Sequence, residues 1–143
     1  MNYTKLGYKI GSWAFIIVGT GHILTDQLSP KTPDQHQSIQ TMKGFAIQLM
    51  GTETTIFSFH QGFSLMMGLL LFSYGLLNLM ILSINKEVNL PTNILVLNIM
   101  VSVTCAILSF MYFFIVPIAL MSVAFLGFTF SILKRNTTKQ MAV

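Results

Sequence analysis

The sequence predicts an all-α fold: an integral membrane four-helix bundle with a short amphipathic interfacial helix between the first and second spans. Three observations carry that expectation. Four apolar runs, residues 10–24, 56–84, 94–114 and 118–133, contain no Lys, Arg, Asp or Glu. About 20 apolar residues rising about 1.5 Å each cross a hydrocarbon core of about 30 Å, whereas a soluble core helix is rarely so long and uncharged on every face. The 143-residue chain is 53% hydrophobic and 8% charged, enough for one membrane domain, 1-143, with no stretch left for a separate soluble domain. The only sizeable polar segment, residues 25–55, lies between the first two runs.

The first span is expected at about residues 8-27. Lys5 and Lys9 before an apolar stretch, with Gly19 and Gly21 spaced like small residues at a cleavage site, resemble a signal peptide. The helix-compatible continuation past Trp13 and the lack of an Ala-x-Ala match favour an uncleaved helix. Pro30 and Pro33 then stop the helix and force an extended or turned stretch. Ile39, Met42, Ala46, Leu49 and Met50 recur at helical spacing, with Gln35, Gln37, Gln40, Lys43 and Gln48 at other positions, which predicts an amphipathic helix at the membrane surface. Its simplest role is to cap the bundle. The second span is expected at 56-84, the third at 93-114 and the fourth at 117-134. A short connection, residues 85–92, joins the second and third. The few residues around Val116 and Pro117 make the third and fourth a tight antiparallel hairpin.

The net charge of +4 is not a nucleic-acid signal, because the basic residues stand in ones and twos beside apolar runs. They read as topology signals. Lys5, Lys9, Lys86, Lys134, Arg135 and Lys139 share one side and Lys31 and Lys43 the other, which places both termini in the cytoplasm and the protein in the cell inner (plasma) membrane. The sequons Asn2-Tyr3-Thr4 and Asn136-Thr137-Thr138 then face the cytoplasm. Cys105 is single, so it forms no intrachain disulfide.

Small and polar residues inside the spans form stripes. Ser12, Gly19, His22 and Asp26 share a face of the first helix, and His60, Ser64, Gly68, Gly75 and Asn78 a face of the second. Asn98, Ser102, Cys105 and Ser109 follow on the third, and Ala119, Ser122 and Thr129 on the fourth. Such faces turn toward protein, since small residues let membrane helices approach and polar groups meet partners there. Gly19, Ser64, Gly68, Gly75, Asn78 and Asn98 are therefore helix-packing candidates, with Asn78 and Asn98 deep enough to bond each other. Tyr3, Tyr8 and Trp13 at one face and Tyr112, Phe113 and Phe114 at the other read as interface belts, while Tyr74 should seek a partner within its span.

His22 and His60 fall near the outer ends of their helices, with Asp26 one turn beyond His22 and Glu53 close to His60 in sequence. Two imidazoles and two carboxylates converging there could hold a divalent metal, ligate a haem or relay protons. A His at a helix end also serves as a polar anchor. The spacing matches no metal signature, and the ten Met residues form no Met-x-x-Met cluster beside the His pair, so ligand softness alone speaks for copper.

Gly21-His22-Ile23 closing the first span and Gly62-Phe63-Ser64-Leu65-Met66-Met67-Gly68-Leu69 opening the second resemble a family of small bacterial four-helix membrane proteins of unassigned function. The resemblance covers most of the chain through its span pattern. That family's pattern, Gly-Phe-Asn-x-Ser-His-Gly, puts a His where this chain has Met67, so among the candidate ligands the resemblance implies only His22 as a site. In span count alone the chain is also similar to DoxX-like proteins.

Two functions remain in view. One is a structural or accessory membrane protein, a homo-oligomer or a subunit of a larger inner-membrane complex. The other binds a metal, haem, quinone or lipid through His22, His60, Asp26 and Glu53 at the outer mouth of the bundle. No intramembrane carboxylate or Arg marks an ion path and no nucleophile has a paired base, which leans away from a transporter or an enzyme.

Overall fold

The computed structural model describes residues 3–84 and 90–140. Lys86 and most of the expected second connection lie outside the described residues, as do Asn2 and the side chains of Asn136 and Lys139. The element order is α1 (Tyr3–Leu28), α2 (Pro33–Gly44), β1 (Ala46–Leu49), β2 (Thr52–Thr55), α3 (Ile56–Ile84), α4 (Thr92–Tyr112) and α5 (Ile115–Gln140). The fold is all-α apart from one small hairpin.

Three helices are long and apolar enough to cross a membrane: Ile56–Ile84, Thr92–Tyr112 and, within α5, Ile115–Arg135, with mean hydropathies of 2.1, 2.4 and 2.2. At about 1.5 Å per residue each reaches a length of about 30 Å or more. The run in α1 is interrupted by Ser12, Gly19, Thr20, Gly21 and His22, and α1 is not among the three.

The chain divides into two compact units. One comprises residues 1–18 and 71–143, the other residues 19–70.

The core of the first unit is built from Tyr8, Ala14, Phe15, Leu90, Leu95, Met121, Ala124 and Phe128. Tyr8 meets Phe128 edge-on with ring centroids 5.4 Å apart, and Phe15 meets Tyr74 at 4.9 Å, the T-shaped geometry that the ring quadrupoles favour. Glycines bring backbones together around these rings. A Cβ on Gly75 would lie 2.6 Å from the Ser12 carbonyl oxygen, and one on Gly7 would lie 2.6 Å from the Gly127 carbonyl oxygen. Ser131 Oγ donates to the Thr4 carbonyl at 2.7 Å, joining α5 to α1 a turn beyond that glycine contact. On α5 the buried line is therefore Met121, Ala124, Phe128 and Ser131, while Ala119 is exposed and Ser122 and Thr129 are half-buried. The expected stripe is displaced around the helix because Gly127 sets the face of closest approach. Between α4 and α5, Phe113 is extended and donates its N–H to the Ser109 carbonyl at 2.9 Å, closing α4 before Pro117 enters the first turn of α5.

In the second unit the polar segment breaks into two pieces. α2 starts with a capping box, Gln35 N–H donating to Thr32 Oγ1 and Thr32 N–H to Gln35 Oε1, with Pro33 in the first turn. It ends at Gly44, four residues after Gln40. Ala46, Leu49 and Met50, expected on this helix, lie instead in an antiparallel hairpin in which Leu49 pairs with Thr52 and Ala46 with Thr55. Met50 and Gly51 turn it with φ of 49° and 85°, the doubly positive pattern that fits the twist of a two-residue hairpin. Thr55 then caps α3, its Oγ1 accepting from the Ser58 N–H at 3.1 Å.

Candidate functional site

The candidate ligand residues all fall in the second unit. His22, near the end of α1, is half-buried, and its Nε2 lies 3.0 Å from Ser64 Oγ on α3. Its ring also packs on the Gly68 side of α3: a Cβ on Gly68 would lie 3.3 Å from His22 Cδ2, 3.2 Å from the Gly19 carbonyl and 2.5 Å from Ile23 Cγ1. Gly68 thus lets α3 approach α1 closely at Gly19, and Ser64 and His22 form the polar contact one turn away.

His60 is exposed in the second turn of α3 and shares a cleft of about 390 Å³ with Asp26. Lys31, Gln35 and Gln61 add polar groups to this cleft, and Ile39, Met42 and Phe57 give it an apolar side. His22 and Glu53 are not among its lining residues. Glu53 is exposed on β2, opposite Gln48. The Lys31 ammonium donates to the Asp26 main-chain carbonyl at 3.2 Å, and the Asp26 carboxylate accepts from Gln27 Nε2 at 3.0 Å. The four candidates thus separate into a His22–Ser64 contact, an Asp26–His60 cleft and an exposed Glu53. Among the described residues no group of three or more His, Cys, Asp or Glu side chains is arranged to hold a metal ion.

A second polar constellation lies in the first unit and binds three helices. Asn98 Nδ2 on α4 donates to Asn78 Oδ1 on α3 at 2.9 Å and to the Ile94 carbonyl at 3.0 Å. Tyr8 of α1 donates its hydroxyl to the same Asn78 oxygen. Tyr74 donates to Asn98 Oδ1 at 2.7 Å, and Asn78 Nδ2 returns to the Tyr74 carbonyl at 2.9 Å. Every polar atom of the two carboxamides is engaged except for spare lone-pair or N–H capacity, as a dry interior demands. Ser12 and Ser102 turn their hydroxyls to the carbonyls of Tyr8 and Asn98 one turn back.

Tyr8 is the residue that sequence reasoning misplaced: it is 0% exposed, not part of an interface belt. The signal was available, because Tyr8 stands four residues before Ser12, on the same helical face as the polar stripe.

Comparison with protein-family models, curated proteins and solved structures finds no match to this chain. The functional reading therefore rests on the chain's own residues.

Proposed function

We propose that this chain is a small multi-pass membrane protein of a single domain, with a structural or accessory role in a larger inner-membrane assembly or a homo-oligomer. The observation that carries this reading is the Tyr8–Asn78–Asn98–Tyr74 network. The buried Tyr8, Asn78 and Asn98, with the half-buried Tyr74, bond one another across α1, α3 and α4, as helix association in lipid favours. In this reading α1 is a fourth span, both termini are cytoplasmic, and α2 with its hairpin lies at the outer interface. The bias of Lys5, Lys9, Lys86, Lys134, Arg135 and Lys139 against Lys31 and Lys43 supports that orientation.

A ligand-binding role is the second reading, favoured by the cleft that Asp26 and His60 share. One experiment separates the two. The chain is extracted in mild detergent at native abundance, and its native size, absorption spectrum and metal content are measured. Migration well above the 16.0 kDa of one chain, without colour or bound metal, supports the accessory role. A coloured or metal-loaded monomer overturns it.

A further inference from the structure

The cleft between the end of α1, α2 and the start of α3 brings together groups of both charges and an apolar lining. Asp26 supplies a carboxylate and Lys31 an ammonium held at the α1 terminus by the Asp26 carbonyl, 3.2 Å away. His60 and Gln61 bring side-chain N–H donors from the second turn of α3. Ile39, Met42 and Phe57 add apolar surface to the lining. At about 390 Å³ the space falls within the size range of small-ligand sites. A ligand with only negative charge would meet the Asp26 carboxylate, and one with only positive charge would meet the Lys31 ammonium. A ligand carrying both charges, on a short apolar stem, satisfies the whole lining.

We propose that this cleft binds the headgroup of an amine-bearing phospholipid. The primary ammonium sits on Asp26, the phosphate takes the N–H donors of Lys31 and Gln61 with His60 beside it, and the glycerol and first methylenes lie over Ile39, Met42 and Phe57. The inference rests on the membrane reading above, which puts the ends of α1 and α3 at headgroup level. A primary ammonium donates charge-assisted hydrogen bonds to a carboxylate, while a quaternary one has no N–H to give. Ethanolamine headgroups should thus be held over choline or glycerol ones.

Alkaline carbonate extraction of membranes comes first, because release of the chain overturns the membrane reading itself. The full chain is then delipidated, placed in nanodiscs of phosphatidylcholine containing small equal fractions of phosphatidylethanolamine and phosphatidylglycerol, and its retained lipid is read by native mass spectrometry. Phosphatidylethanolamine should be enriched about tenfold, the factor that about 1.4 kcal/mol produces. Asp26→Asn should abolish the preference over phosphatidylglycerol, Lys31→Gln should reduce retention of both, and Glu53→Gln, outside the cleft, should change neither. If Asp26→Asn does not fold, Gln61→Leu tests the phosphate side in its place. Equal retention of the three lipids by the native chain overturns the site. Displacement of bound lipid by micromolar free phosphoethanolamine overturns the lipid source, assigning the same headgroup chemistry to a soluble ligand.

Discussion

Asn78 Oδ1 accepts hydrogen bonds from two other helices at once, from the Tyr8 hydroxyl on α1 and from Asn98 Nδ2 on α4, the latter at 2.9 Å. One oxygen on α3 therefore fixes the relative rotation of three helices in the first unit. A single interhelical hydrogen bond in a membrane protein contributes only about 0.6 kcal/mol on average. The network matters because breaking it strands several groups together.

Asn98→Ala is expected to lower stability by about 1–3 kcal/mol, since it leaves the Tyr74 hydroxyl and an Asn78 lone pair without their partners. Tyr74→Phe should cost less, and the two changes together should be non-additive by about 0.5 kcal/mol or more. Unfolding titrations in mixed micelles over the full double-mutant cycle check this; strict additivity would show that the bonds act separately.

Gly75→Ala should destabilise by about 1–3 kcal/mol, because the new methyl would lie 2.6 Å from the Ser12 carbonyl and 2.9 Å from the Ile16 nitrogen, both backbone. Gly68→Ala should cost less, as its nearest neighbour at 2.5 Å is the Ile23 side chain, which can rotate away. Leu70→Phe, at a position 61% exposed, should be near neutral. Thermal unfolding in detergent should rank them in that order, and a harmless Gly75→Ala would reject the contact.

Gly51→Val should open the hairpin, because φ of 85° is strained for a β-branched residue. Met50→Asn should do the reverse, stabilising the turn by about 0.5–1 kcal/mol at its φ of 49°. Amide hydrogen exchange of residues 46–55 reports both changes, which should have opposite sign.

Reporter fusions within residues 38–42 should read as outside, and fusions at Lys86 and after Val143 as cytoplasmic. Reversed signals would invert the bundle. Concordant signals from all three sites would mean that the number of crossings between residues 42 and 86 is even, removing α3 as a span.

Sequence legibility followed the length scale of the signal. The uncharged run of residues 56–84 coincides with α3, because a long stretch with no charge offers the backbone only a helix in lipid. Asn78 and Asn98 could be paired by depth alone, since a carboxamide among apolar residues has few partners to choose from. The hairpin was hidden because Leu49 and Met50 fit a helical spacing and Met50-Gly51 lacks the Asn-Gly or Asp-Gly signature of a tight turn. The site was the least legible part. Spacing along α1 and α3 places His22 and His60 near the same end, but which one meets Ser64 and which shares a cleft with Asp26 depends on the rotation of each helix, set by contacts such as Gly68 on Ile23.

The contact of Gly7 with Gly127 also has a consequence in time. The part of its packing surface that α5 supplies to α1 is translated roughly 120 codons later, which at about 5–20 residues per second is a wait of roughly 6–24 s. During that interval the bare glycine face of Gly7 and Gly11 has no α5 to receive it. A chain cut short before Gly127 is therefore expected to keep the contacts of Tyr8 and Ser12 with α3 and to lose those of Gly7 and Gly11 with α5.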